Sequence, residues 1–151
     1  MRLPTETQCR RVFAALWDIK VSEINKMIEH PHKKTLVLGA SLNPERYSNI
    51  CINDLVLYNY PVEAVGLREG DIAGVRVHRG FPEIADVHTV TMYLGPQNQG
   101  QYVDYILNTI RPRRIIFNPG TWNPELAALA KEAGIVVESK CTLLMLSGGY
   151  F

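Results

Sequence analysis

Short apolar runs alternate with amphipathic stretches along most of this chain. The apolar runs have the length of strands and lie at Thr35–Leu38, Pro61–Val65, Val87–Leu94, Arg114–Phe117 and Ile135–Glu138. They are continuous rather than alternating, which is typical of strands covered on both faces. Between these runs, apolar residues recur at helical spacing in three segments, Ser48–Asn59, Gln97–Ile110 and Pro124–Ala133. The alternation predicts a Rossmann-like α/β fold, a doubly wound, mainly parallel sheet of five to six strands with helices on both faces.

Shorter elements are predicted between and after these units. Val75 and Val77 indicate a brief edge strand inside a turn-rich stretch. Pro82–Ala85 is expected to form one helical turn, and the apolar tail Cys141–Leu146 a short helix.

The first thirty residues follow a different pattern from the rest. Apolar residues recur there at spacings of three and four, namely Phe13, Trp17, Val21, Ile24 and Ile28. We therefore expect residues 1–32 to form an amphipathic helical extension and residues 33–151 a single domain. The helix packs on its own domain, forms the contact of a homodimer, or is a loosely attached arm.

Composition and charge narrow the class of protein. The 151 residues include 16 Lys and Arg against 15 Asp and Glu, so there is no basic footprint for nucleic acid. No apolar run approaches the roughly 18 residues that span a bilayer, and the N-terminus does not resemble a signal peptide. The three cysteines are far apart and lack metal-ligand spacing. We expect a cytoplasmic protein with reduced thiols.

The segment after the first predicted strand is the most informative one for function. A turn of small residues leads there into hydroxyl groups and one arginine, an arrangement that presents backbone N–H groups and a helix N-terminus to a phosphate. A guanidinium adds forked, charge-assisted donors. The candidate phosphate-binding residues are Gly39, Ala40, Ser41, Arg46 and Ser48.

Three further strand ends carry candidate ligand-binding residues. Ligands of open α/β sheets bind beyond the carboxyl ends of the strands, and a glycine at each of these ends allows close backbone approach. The candidates are Gly66, Leu67 and Arg68, then Tyr93, Leu94 and Gly95, then Asn118, Pro119 and Gly120.

The turn at residues 39–48 resembles the GASxxPxRxS turn of small bacterial CoA-binding proteins, which are similar to the N-terminal domain of the succinyl-CoA synthetase α subunit. The resemblance extends from about Lys33 to Leu146 and includes a late cysteine, Cys141. It implies that residues 39–48 hold the pyrophosphate of CoA and that residues 66–68 lie near the adenosine and its 3′-phosphate. The other two strand ends would line the middle of the site.

Catalytic residues are less evident. None of the four histidines follows a glycine-rich turn of the synthetase kind, and the carboxylates are scattered. Cys141 is the candidate reactive thiol, able to form a mixed disulfide with CoA. We interpret the basic run Arg111–Arg114 as a partner for a helix dipole, with an anion site as the alternative.

The leading hypothesis is a protein that binds CoA or acyl-CoA and has no evident catalytic machinery. One alternative is an NAD(P)-binding enzyme or sensor, although the GxGxxG fingerprint is absent. Arg68 suits a phosphate of either NADP or CoA. The other alternative is an interaction module that uses the predicted helix at residues 13–28.

Overall fold

The computed structural model describes Ile24 and residues 28–151. The predicted amphipathic helix falls almost entirely outside these residues, so the helix and the domain boundary at residue 32 stay predictions.

A seven-stranded sheet forms the centre of the described domain. Its strands in chain order are β1 (Thr35–Ala40), β2 (Val62–Gly66), β3 (Gly70–Ile72), β4 (Val75–His78), β5 (Thr89–Met92), β6 (Arg114–Phe117) and β7 (Val136–Ser139). The spatial order is β3-β4-β2-β1-β5-β6-β7, and only β3 and β4 pair antiparallel. The predicted mainly parallel α/β fold is confirmed. The sheet has one strand more than the upper limit predicted, because the turn-rich stretch forms a hairpin, β3–β4, rather than a single edge strand.

Three α-helices match predicted segments to within a few residues: α1 (Tyr47–Leu57), α2 (Pro124–Glu132) and α3 (Thr142–Gly148). Helix α2 shows why such boundaries can be predicted. Asn123 Oδ1 accepts the N–H groups of Glu125 and Leu126 at 3.1 and 3.2 Å, and a proline begins the helix. Gly134 follows its end with φ +79°, as helix C-termini prefer.

The predicted helix Gln97–Ile110 is wrong as a single α-helix. The structure has two 3₁₀ turns, Pro96–Asn98 and Gly100–Tyr102, and a π-helix, Tyr105–Ile110. We call residues 96–110 the irregular helix. Its first part does not form a regular α-helix, because the fully buried Gln99 makes hydrogen bonds to two neighbouring loops. Gly100, which follows it, is a poor helix former.

The predicted helical turn at Pro82–Ala85 is also wrong. These residues have no regular secondary structure. The carbonyl oxygen of Pro82 accepts the Tyr105 hydroxyl at 2.7 Å instead of an N–H group one turn later, and Ile84 packs against the core.

Two hydrophobic clusters cover opposite faces of the sheet. On one face the irregular helix and α2 pack over Leu36 and Leu38 of β1. On the other face α1 and α3 pack over Val37. This alternation of one strand's side chains between two helical layers confirms the doubly wound arrangement.

The carboxyl ends of the central strands touch backbone to backbone. A Cβ atom on Gly66 would lie 2.2 Å from the carbonyl oxygen of Ala40. On the other side, a Cβ on Gly39 would lie 3.0 Å from the backbone N of Leu94, and Gly39 has φ +96°. Only glycine fits at either position without moving a strand.

We therefore expect Gly66→Ala to destabilise the protein by about 1–3 kcal/mol, the usual cost of overpacking. Gly100→Ala is the matched control, because nothing lies within 4 Å of its added Cβ. Urea unfolding of both variants measures the difference. Equal stability of the two variants would show that the strand ends have room to separate.

Candidate functional site

The sheet changes direction of winding between β1 and β5. The chain runs from β1 outward through β2 to β4, then crosses back to β5 on the other side of β1. Crevices at such switch points are where open α/β sheets bind ligands. A cavity of about 500 Å³, here called the ligand cleft, lies at this carboxyl edge.

Most of the predicted site residues line the ligand cleft together. They are Gly39, Ala40, Ser41, Arg46, Ser48, Gly66, Leu67, Arg68, Tyr93, Leu94 and Pro119. Gly95, Asn118, Gly120 and Cys141 are not among the lining residues. The lining also includes residues that the sequence analysis did not single out: Leu42, Asn43, Tyr47, Tyr102 and Thr121.

The loop after β1 is held by its own polar groups. The buried Ser48 hydroxyl accepts the N–H of Ser41 at 3.1 Å, and the buried Asn49 amide donates to the Ser41 carbonyl at 3.0 Å. The Ser41 hydroxyl in turn accepts the N–H of Asn43 at 3.2 Å. Ser48 and Asn49 therefore shape the loop, and sequence reasoning found only the first of them.

The N-terminus of α1 and two arginines make the cleft electropositive. No side chain caps α1, its first turn has no acidic residue, and Arg46 stands at the N-cap. Arg46 and Arg68 both line the cleft, are exposed, and make no ion pair with any described residue. Free helix N–H groups and two arginine side chains form a suitable environment for phosphate groups.

Asn118 is engaged in a buried polar network that joins β5, β6 and α3. Its amide donates to Thr91 Oγ1 at 2.7 Å and to the Met92 carbonyl at 2.9 Å. Its Oδ1 accepts the N–H of Thr142 at 2.9 Å, and the hydroxyls of Thr91 and Thr142 lie 2.8 Å apart. With its amide fully used, Asn118 holds the loop after β6 in place rather than offering that amide to a ligand.

Gln99 links two segments that line the cleft, the loops after β5 and β6, without lining the cleft itself. Its side-chain amide donates to the carbonyls of Leu94 at 2.9 Å and Thr121 at 2.7 Å. Gln99 is completely buried, and its Oε1 has no hydrogen-bond partner among the described residues. The role of Gln99 could not be predicted from the sequence, because a glutamine in a predicted helix is usually exposed.

Two ionisable groups beside the cleft, the Cys51 thiol and the Tyr93 hydroxyl, are held in their neutral forms. Burial raises the pKa of Cys51 to about 12, and burial also raises the pKa of Tyr93 well above its ordinary value. Neither group ionises near neutral pH. The cleft lining contains no histidine, cysteine or carboxylate within the part of the chain that the structure describes.

The four histidines lie elsewhere. The ring of His30 stacks on Tyr60 at 4.1 Å, and His88 Nδ1 lies 2.8 Å from Thr89 Oγ1. His32 and His88 line a groove at the opposite edge of the sheet, and His78 ends β4. Among the described residues, no three His, Cys, Asp or Glu side chains cluster as metal ligands do. None of the described helices has the length and apolarity to cross a membrane.

The family profile of a CoA binding domain matches residues 33–147. The chain belongs to this CoA-binding domain family. The match covers all the strands and helices that position the ligand cleft.

Solved structures of similar proteins share the fold. One, described as an uncharacterized protein, is 42% identical with a TM-score of 0.76, and the match covers 79% of this chain and 98% of that one. A hypothetical protein from Pyrococcus horikoshii OT3 is 26% identical with a TM-score of 0.66, covering 83% and 87% of the two chains. A conserved hypothetical protein from Pyrococcus furiosus is 25% identical with a TM-score of 0.63, covering 70% and 91%. The comparison with curated proteins found no match.

Replacing Gln99 tests whether it braces the cleft. Gln99→Leu keeps a similar volume but removes the side-chain donor from the buried Thr121 carbonyl and the part-buried Leu94 carbonyl, so we expect a loss of about 2 kcal/mol in unfolding free energy. The exposed Gln101→Leu is the control and should change stability by less than about 0.5 kcal/mol. Denaturant unfolding compares them, and an unchanged Gln99→Leu would contradict the bracing role.

The cysteines should differ in reactivity. Cys51 is fully buried and its raised pKa leaves almost no thiolate at neutral pH, whereas Cys141 is half-buried. We expect iodoacetamide to modify Cys141 of the native protein well before Cys51, and both alike in denaturant, as read by peptide mass spectrometry. Modification of native Cys51 at the rate of Cys141 would contradict this assignment.

Proposed function

We propose that this protein binds CoA or an acyl-CoA in the ligand cleft and performs no covalent chemistry on it. The observation that carries the proposal is the electropositive, uncapped N-terminus of α1, which opens beside Arg46 at the switch point of the sheet. Membership of the CoA-binding domain family supports CoA as the particular phosphate ligand.

Each part of CoA has a suitable surface in the cleft. The pyrophosphate would lie against the loop of residues 39–41, the N-terminus of α1 and the Arg46 guanidinium. The adenosine and its 3′-phosphate would lie near residues 66–68, where the exposed Leu67 offers apolar area and Arg68 a charge. The pantetheine arm would continue past Tyr93 and Leu94 towards the centre of the sheet edge.

The side chains that line the cleft favour binding over catalysis. General acid–base catalysis most often uses a histidine or a carboxylate, and the described lining of the cleft has neither. Burial raises the pKa of Tyr93, which makes its hydroxyl a poor general acid or base near neutral pH. The thiol of Cys141 lies outside the lining, so a mixed disulfide with CoA would require the end of the pantetheine arm to extend beyond the cleft. Carriage, sensing or storage of CoA is consistent with this set of groups.

Arg46→Gln tests the pyrophosphate site. It removes the forked donor while keeping a polar side chain, so we expect CoA binding to weaken by about 1.5–3 kcal/mol, measured by titration calorimetry. Arg76→Gln is the matched control, because Arg76 pairs with Glu69 and Asp71 on the outer strands and does not line the cleft. Unchanged CoA affinity in Arg46→Gln, or the same loss in both variants, would contradict the proposal.

Arg68→Gln tests the 3′-phosphate contact separately. The variant should bind CoA only about as tightly as the wild type binds dephospho-CoA, and its own affinity for dephospho-CoA should be unchanged. NADPH serves as the competing ligand in the same titrations, because its 2′-phosphate suits the same arginine. Tighter binding of NADPH than of CoA would favour the nicotinamide alternative.

A further inference from the structure

A second electropositive groove lies at the opposite edge of the sheet from the ligand cleft. It has a volume of about 740 Å³ and is formed where β1, β5 and β6 begin. We call it the amino-edge groove. Its charged and titratable lining residues are His32, Lys34, Asp86, His88, Arg111 and Arg113.

Backbone hydrogen bonds hold three of the polar lining residues of this groove next to one another. The carbonyl of Lys34 accepts the N–H of His88 at 2.8 Å, and the carbonyl of His88 accepts the N–H of Arg113 at 3.0 Å. Lys34, His88 and Arg113 therefore come from three neighbouring chain segments in rigid register. A ligand that bridges them would meet several donors at once without ordering a loop.

The positive charge in the groove is poorly balanced. Asp86 is the one acidic residue among the described lining residues, and Arg113 makes no ion pair with any described residue. Burial, and then the charges of Arg114, Lys33 and Arg113, lower the pKa of His88.

His88 is oriented by a buried hydroxyl. Thr89 Oγ1 accepts Arg114 Nε–H at 3.0 Å and lies 2.8 Å from His88 Nδ1. Because that oxygen already accepts from the guanidinium, the arrangement favours donation of the hydroxyl proton to Nδ1. Neutral His88 then keeps its own proton on Nε2 and remains a hydrogen-bond donor.

The backbone at Arg111 adds an independent observation. Arg111 follows the π-helix in the left-handed conformation, with φ +47° and ψ +59°, a position where glycine is the usual residue. Its Nε donates to the Asn108 carbonyl at 2.9 Å, which offsets part of the strain. Arg111 lines the amino-edge groove, so this conformation brings a second arginine into the same lining as Arg113.

We propose that the amino-edge groove binds a small multivalent anion, with phosphate or carboxylate groups, at a site separate from the ligand cleft. The cations Lys34, Arg111 and Arg113, with the His88 imidazole between their chain segments as a neutral donor, suit a ligand with two or more charged groups. This site does not depend on CoA binding, since the two sites lie at opposite ends of the strands.

Calorimetric titration of the full chain with pyrophosphate and with citrate tests the proposal. We expect saturable binding of at least one anion, weakened about tenfold in Arg113→Gln, as expected for the loss of a charge-assisted hydrogen bond. The tighter of the two anions identifies phosphate or carboxylate as the preferred chemistry. Absence of saturable binding to either anion would overturn the proposal.

Two controls separate this site from the ligand cleft and from general charge. Arg76→Gln makes the same change of charge on the outer strands, and Arg46→Gln removes the guanidinium of the ligand cleft. Arg76→Gln should retain the wild-type affinity for the anion. Arg46→Gln should weaken only the binding of pyrophosphate in the ligand cleft, so the binding that Arg113→Gln weakens should persist in Arg46→Gln with unchanged affinity. Loss in Arg46→Gln of the same binding that Arg113→Gln loses would place the anion in the ligand cleft, and an equal loss in Arg76→Gln would show nonspecific attraction, so either result overturns the proposal.

The variant Arg111→Gly distinguishes a loss of anion binding from a loss of folding stability. Glycine relieves the left-handed backbone, so the melting temperature should be equal to or above that of the wild type while anion binding weakens severalfold. Unchanged anion affinity in both Arg111→Gly and Arg113→Gln would overturn the proposal.

Discussion

Direct backbone contact between the ends of adjacent strands determines the shape of this protein's carboxyl edge. Gly66 lies against the Ala40 carbonyl, and Gly39 lies against the backbone at Tyr93 and Leu94. With no side chains between these ends, peptide groups rather than side chains form the floor of the cleft. The N-terminus of α1, which has no side-chain cap, borders the cleft above this floor. The phosphate site that we propose depends on this close packing.

Buried amide side chains keep the loops above that floor in place. Asn49 fixes the loop after β1, Gln99 links the loops after β5 and β6, and Asn118 ties β5 and β6 to the last helix. Each of these amides donates to a backbone carbonyl on another segment. Loop positions are therefore set by hydrogen bonds within the protein, which leaves the cleft formed before any ligand arrives.

The fold could be predicted from the sequence because buried parallel strands are continuous apolar runs with glycine or proline at their ends. Arg114–Phe117 was predicted with its observed bounds. The irregular helix could not be predicted, because its geometry depends on hydrogen bonds from Gln99 to loops that are distant in sequence. The roles of the site residues were harder to predict for the same reason. A sequence shows that Ser48 and Asn118 lie near strand ends, but not that their side chains hold loops.

The two sites that we propose lie at opposite edges of the sheet, so a single experiment can distinguish ligand binding at one edge from ligand binding at the other. A titration of the isotope-labelled protein with CoA, followed by backbone amide NMR, shows where on the protein CoA binds. We expect saturable shifts at the amides of Gly39, Ser41, Gly66 and Leu94. No saturable shifts there, or shifts confined to the amino edge around Arg113, would contradict it.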